Sequence, residues 1–133
     1  MIVLDEQLLG RQIEIEVGKW YRGKVCFITD LRPGTVIKDE AVSGLLRQTR
    51  GSTFVTINER DFWRRIPADP RYCAVCMALS DPQAWMVPEL LRKVFRDPQL
   101  RTNALRSGKV LRVSRTGFSF YTHKDARVQA VRW

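Results

Sequence analysis

Histidine occurs once in this 133-residue sequence, at His123. One imidazole, set between Thr122 and Lys124 with no evident serine or cysteine partner, argues against nucleophilic triad chemistry. Cysteine is scarce too. Cys26, Cys73 and Cys76 are an odd number without framework spacing, so the chain does not read as a secreted disulfide scaffold. Cys73 and Cys76 do form a C-x-x-C, but it lies inside the apolar run YCAVCMAL. No second cysteine pair or neighbouring histidine completes a zinc set, and both read as small buried hydrophobes. Neither GxGxxG nor a Walker A glycine–lysine motif is present, so no nucleotide cofactor is indicated. No apolar run approaches the ~18–20 residues that a membrane span needs. The opening MIVLDEQLL carries acids where an export signal is basic, and the expectation is a cytoplasmic protein. Repeats, low-complexity tracts and linkers are also missing. The length suits one domain over 1–133.

Charge is the strongest compositional feature. The formal net charge is +9. Residues 1–61 hold nine basic and nine acidic residues, whereas residues 62–133 hold fourteen basic and five acidic. The excess positive charge therefore belongs to the second half. Such a surplus attracts anions and favours a nucleic-acid partner, or else a docking face for an acidic protein.

Ile2-Val3-Leu4 predicts a buried strand ending on Asp5-Glu6. From Gln7 to Tyr21 two patterns compete. Ile13, Ile15 and Val17 alternate with acids as a strand would, while Leu9, Ile13, Val17 and Trp20 fit one helical face. A parallel sheet needs a crossover here, so helix is expected. Lys24–Thr29 predicts a second strand, followed by a turn at Pro33-Gly34. A helix over Lys38–Arg50 buries Val42, Leu45 and Leu46, with Gly51 closing it as the C′ glycine. Ser52–Ile57 and Tyr72–Leu79 predict the third and fourth strands. An amphipathic helix follows over Pro82–Gln99, with Trp85, Leu90, Leu91, Val94 and Phe95 in phase and Asp97-Pro98 breaking it. A short helix runs to Leu105. Val110–Ser114 and Phe118–Thr122 predict a hairpin, with an edge strand over Val128–Trp133. Strands alternating with helices predict an α/β core over 1–106, its mainly parallel sheet having about four strands. The hairpin is expected as an extension over 107–133.

Open parallel sheets bind ligands beyond the C-terminal strand ends. Those ends carry Asp5 and Glu6 after the first strand, and Asn58, Glu59 and Asp61 after the third. Asp39 and Glu40 open the intervening helix. Oxygen ligands gathered from separate element ends suit Mg²⁺ or Mn²⁺, and such a cluster with metal can hydrolyse phosphodiesters. Each acid alone has a plainer reading: Asp39 as a favourable charge at a helix N-terminus, Asp61 as a turn or cap residue. Only the joint pattern carries weight.

LDE at 4–6, KDEAVSGLL at 38–46 and FVTINERDFW at 54–63 together resemble the signature of the PIN-like domain family, across about half of the chain. The resemblance implies a Rossmann-type three-layer fold and a Mg²⁺ or Mn²⁺ site. It also implies endoribonuclease activity as the toxin of a toxin–antitoxin pair, with a small antitoxin protein as partner; a homodimer stays open. It points to Asp5, Asp39 and Asp61 as the catalytic and metal-site acids, with Asn58 beside them and Glu6 and Glu40 as neighbours. Asn58 stands where many relatives carry an aspartate, so the site has less charge than theirs. The alternative is a catalytically weak or inactive module of the same fold that binds RNA or docks a protein. Substrate contacts are expected from Arg64 and Arg65 just after the acids, from Arg112 and Arg115 on the hairpin, and from Trp63 stacking an unpaired base.

Overall fold

The computed structural model describes residues 1–133. β1 is Ile2–Leu4, whose three apolar side chains are all buried. It pairs in parallel with β2 (Val25–Phe27) on one side and β3 (Ser52–Thr56) on the other. β4 (Tyr72–Met77) and β5 (Lys109–Ser114) extend the parallel run. β6 (Gly117–Thr122) and β7 (Gln129–Arg132) then add antiparallel strands, for a seven-stranded order of β2-β1-β3-β4-β5-β6-β7. The α/β class is as expected, but the sheet is larger than four strands and is mixed. The hairpin is part of that sheet. Its first strand is the fifth parallel one, because Val110 is buried on one face while Leu111 and Val113 are buried on the other.

Two cores flank the sheet. On one face, α1 (Ile13–Gly18) and α4 (Val87–Arg96) cover Leu4, Val55, Val75, Leu111 and Val113. On the other face, α2 (Asp39–Arg47) and α3 (Glu59–Phe62) cover Val3, Phe54, Ala74 and Val110. Cys73 belongs to the first core and Cys76 to the second, so the two thiols point to opposite sides and cannot pair. Burial pushes the Cys73 thiol up to about 12 and raises that of Cys76 as well, which leaves both protonated and inert.

Three predicted helices differ in detail. The Gln7–Tyr21 helix is divided into a 3-10 turn over Glu6–Leu8 and α1, because Gly10 and Gln12 sit at φ +75 and +61 between them. α2 stops at Arg47, four residues before Gly51. Gly51 is therefore not its C′ residue. It turns the chain into β3 at φ +65 and donates its N–H to the Arg71 carbonyl at 3.1 Å. The long Pro82–Gln99 helix opens as a 3-10 stretch over Asp81–Met86 before α4 begins. With three residues per turn there, Trp85 falls out of phase and is 70% exposed. The last helix, α5, is Asn103–Arg106.

The direction and face of each crossover follow from this order. β1→β2 steps one way along the sheet on the α1 face, while β2→β3 and β3→β4 step the other way on the α2/α3 face. Those three share one hand. β4→β5 steps as β3→β4 does but carries α4 on the α1 face, so it has the opposite hand. Parallel crossovers are right-handed in about 98% of cases, so this chain includes an exception, and the exception has a consequence. With α4 placed beside α1, no helix covers the α2/α3 side of β6 and β7.

Candidate active site

The crossovers leave β1 and β3 in opposite directions on opposite faces, which opens a crevice beyond their C-terminal ends. Asp5 enters it directly from β1. Its backbone N–H continues the sheet by donating to the Val55 carbonyl at 2.9 Å, and its side chain lies against Thr56 on the α2/α3 side. The Thr56 hydroxyl donates to Asp5 Oδ2 at 2.6 Å and accepts the Asn58 N–H at 2.9 Å. The Glu6 N–H donates to Asp5 Oδ1 at 2.8 Å, so Asp5 also caps the first 3-10 turn. Only 7% of Asp5 is exposed. Burial raises its carboxyl above the usual aspartate range. The Thr56 and Glu6 donors pull it back, and the neighbouring Asp39 and Glu6 charges push it further up.

Asp39 and Asp61 reach the same crevice from two helices. Asp39 opens α2, and Asp61 lies in the single turn of α3. Both line an open concavity of about 430 Å³ together with Glu40, Ser43 and Arg65. The Asp39 carboxyl is also raised, first by desolvation, then by the neighbouring Asp61, then by the charges of Glu40 and Glu6. The charged neighbours acting on Asp39 are all acids, with no cation among them. Asp5 sits behind the concavity rather than in its lining.

Asn58 serves Asp61. As N-cap of α3 its Oδ1 accepts the Asp61 N–H at 3.4 Å, and its Nδ2 donates to Asp61 Oδ2 at 2.8 Å. The Asn58 oxygen expected on a metal is thus already engaged with the backbone. Glu59, grouped in the sequence with the strand-end acids, instead pairs with Arg112 across 2.6 Å and ties α3 to β5. Thr56 was missed, and the signal for it was its place in FVTINERDFW, two residues before Asn58. Glu6 is exposed beside Asp5, in the first turn after β1.

The predicted basic contacts divide. Arg65 lines the concavity. Arg64, at φ +64, holds its guanidinium 5.8 Å from the centre of the Tyr121 ring, which also packs Trp63 at 5.4 Å. Trp63 is therefore half-buried against β6 rather than free. Arg112 is on the α2/α3 side of the sheet, beyond Cys76. Arg115 does not join this group. It leans on Met86 Sδ, which belongs to the α1/α4 core across the sheet.

Comparison with known proteins gives no match: no family model, no curated protein and no solved structure is similar to the chain at significance. The donor set itself suits a hard divalent cation, since every candidate side chain offers oxygen. No three of the chain's His, Cys, Asp and Glu residues stand at metal-binding spacing. Mg²⁺, however, commonly keeps several waters and takes only one or two carboxylates, and Asp39 with Asp61 meets that demand. No helix is long and apolar enough to cross a membrane.

Proposed function

We propose that the chain is a metal-dependent endoribonuclease of PIN-like type, acting as the toxin of a toxin–antitoxin pair. One observation carries the reading. Asp39 and Asp61 line one concavity with Asp5 behind it, and the Asp5 and Asp39 carboxyls are raised by burial and by their acidic neighbours. Asp39 and Asp61 would hold Mg²⁺ or Mn²⁺, with Asp5 behind them. Such an ion, when bound, neutralises phosphate charge and lowers the pKa of water. The chain's own groups do the rest. Asn58 orients Asp61, and Thr56 and the Glu6 N–H hold the Asp5 carboxyl in place. Arg65 on the rim binds the phosphate being cut.

A second reading is a weak or inactive module that holds RNA or a protein partner. What favours it is Asn58, an amide bound to its own helix where a further carboxylate would strengthen metal binding. Two measurements separate the readings. Mg²⁺ or Mn²⁺ raises the melting temperature if the site binds it, because a ligand specific to the native state stabilises that state. Cleavage of a structured RNA with Mn²⁺ is then compared for wild type, Asp5→Asn and Arg64→Glu/Arg65→Glu. The nuclease reading expects Asp5→Asn to bind without cutting and the charge reversal to lose both. Equal cutting by wild type and Asp5→Asn rejects this site.

A further inference from the structure

The last three strands present two unlike faces. Toward α1 and α4, Leu111, Val113, Phe118 and Phe120 are buried and Val131 packs against them. On the other face Val110 and Tyr121 are buried, but beyond them no helix lies over the strands, since α4 is on the far side. There Arg112, Ser119 and Ala130 stand in one row across β5, β6 and β7, and Ser114, Gly117 and Arg132 stand in the next. These residues line an open trough of about 370 Å³ in which no carboxylate takes part. Arg112 has one acid partner, Glu59, and Arg132 has none.

The trough runs on from the acidic crevice. Thr56 is in register with Cys76, and Cys76 with Arg112. The row that carries Thr56, the partner of Asp5, therefore ends in the trough. At a strand spacing of ~4.8 Å, Arg112 lies roughly 10 Å along the row from Thr56. Next to Ser119 on this side of β6, Tyr121 carries Trp63 and the Arg64 guanidinium.

We propose that this trough seats a single strand of RNA flanking the cleavage point, with Arg132 on its phosphates and the Glu59-paired Arg112 bounding it. The inference rests on the ribonuclease reading and adds where the substrate lies. Charge selects the occupant: a groove lined by hydroxyls and two arginines, of which only Arg112 has an acid partner, takes a polyanion. The floor of Ser119, Gly117 and Ala130 offers no apolar pocket for a peptide side chain. Its continuity with the acids distinguishes a substrate path from a separate docking face. A floor three strands wide, closed on one side by the Glu59–Arg112 pair, admits one backbone rather than a duplex.

Fluorescence anisotropy of a labelled oligouridylate in EDTA reads the trough without cleavage. Arg132→Ala is expected to weaken binding several-fold and to lower the slope of log K against log salt by about one. Arg127→Ala, on the same hairpin but paired with Asp125, is expected to bind as wild type. Cleavage with Mn²⁺ reads the acidic crevice separately. A wild type that cuts RNA, beside an Arg132→Ala variant that binds equally well, overturns the trough and leaves the nuclease standing. A wild type that binds through Arg132 yet never cuts overturns the nuclease and leaves the trough standing. Failure of the oligonucleotide to bind at low salt, or preference for an oligoglutamate peptide, overturns the trough as an RNA seat.

Discussion

Replacing Thr56 by valine removes the hydroxyl that joins β3 to the acid at the end of β1, and the structure sets how much this costs. Valine has nearly the shape of threonine, so no cavity opens. The loss is electrostatic. Thr56 is fully buried and donates to Asp5 at 2.6 Å, and a hydrogen bond to a charged group contributes about 1.5–3 kcal/mol. The Asn58 N–H also loses its acceptor. A fully buried orphan donor costs about 1–3 kcal/mol, and Asn58 is half-exposed, so the low end applies. The expected destabilisation is about 3 kcal/mol by urea unfolding, with the m-value unchanged. Thr56→Ser keeps both hydrogen bonds and loses one methyl, about 1 kcal/mol. A double-mutant cycle with Asp5→Asn is expected to show coupling above ~1 kcal/mol, since the two side chains touch. Losing the Thr56 donor also lets the Asp5 carboxyl rise further, which moves the acidic limb of any cleavage profile to higher pH. If Thr56→Val is no less stable than Thr56→Ser, the hydroxyl–carboxylate bond is not what holds this crevice together.

Asp5 and Asp39 both have raised carboxyls in the folded state. Their contribution is therefore intact below the unfolded aspartate range and is lost as pH rises through the folded values. Metal-free protein is accordingly expected to gain stability as pH falls through the raised folded values toward the unfolded aspartate range, and Asp39→Asn to raise the melting temperature at pH 7 while flattening that gain. A thermal scan against pH checks both. Leu46→Ala, in the fully buried core beneath α2, is expected to cost about 2–5 kcal/mol by chemical denaturation and to weaken metal stabilisation by loosening the helix that opens on Asp39. Arg106 is 6% exposed, bonds the Leu100 carbonyl at 2.9 Å and lies 3.8 Å over the Phe95 ring, with its Nε unpartnered. Arg106→Met keeps much of the stem packing and removes a buried charge that no carboxylate balances. Its unfolding free energy is expected within about 1.5 kcal/mol of wild type, whereas Arg106→Ala loses the packing on Phe95 and is clearly destabilised.

The sequence alone determined every strand and the acids at their ends. Short apolar runs bounded by polar residues have few ways to be buried, so Ile2–Leu4, Ser52–Thr56 and Tyr72–Met77 were legible to within one or two residues. Helix extents were less so. Left-handed turns at Gly10 and Gln12, and a 3-10 stretch ahead of α4, interrupt an apolar periodicity that reads as continuous. What only the tertiary structure decided is neighbourhood. That β5 lies parallel to β4, and that α4 returns beside α1, depends on which face gains more buried surface, a comparison no local pattern records. Asn58 as the brace of Asp61, Glu59 on Arg112 and Arg115 across the sheet from Arg65 likewise follow from contacts between segments distant in the chain or from cap geometry. Residue types fix which groups can carry charge. Whether those charges meet depends on the crossovers that bring the strand ends together.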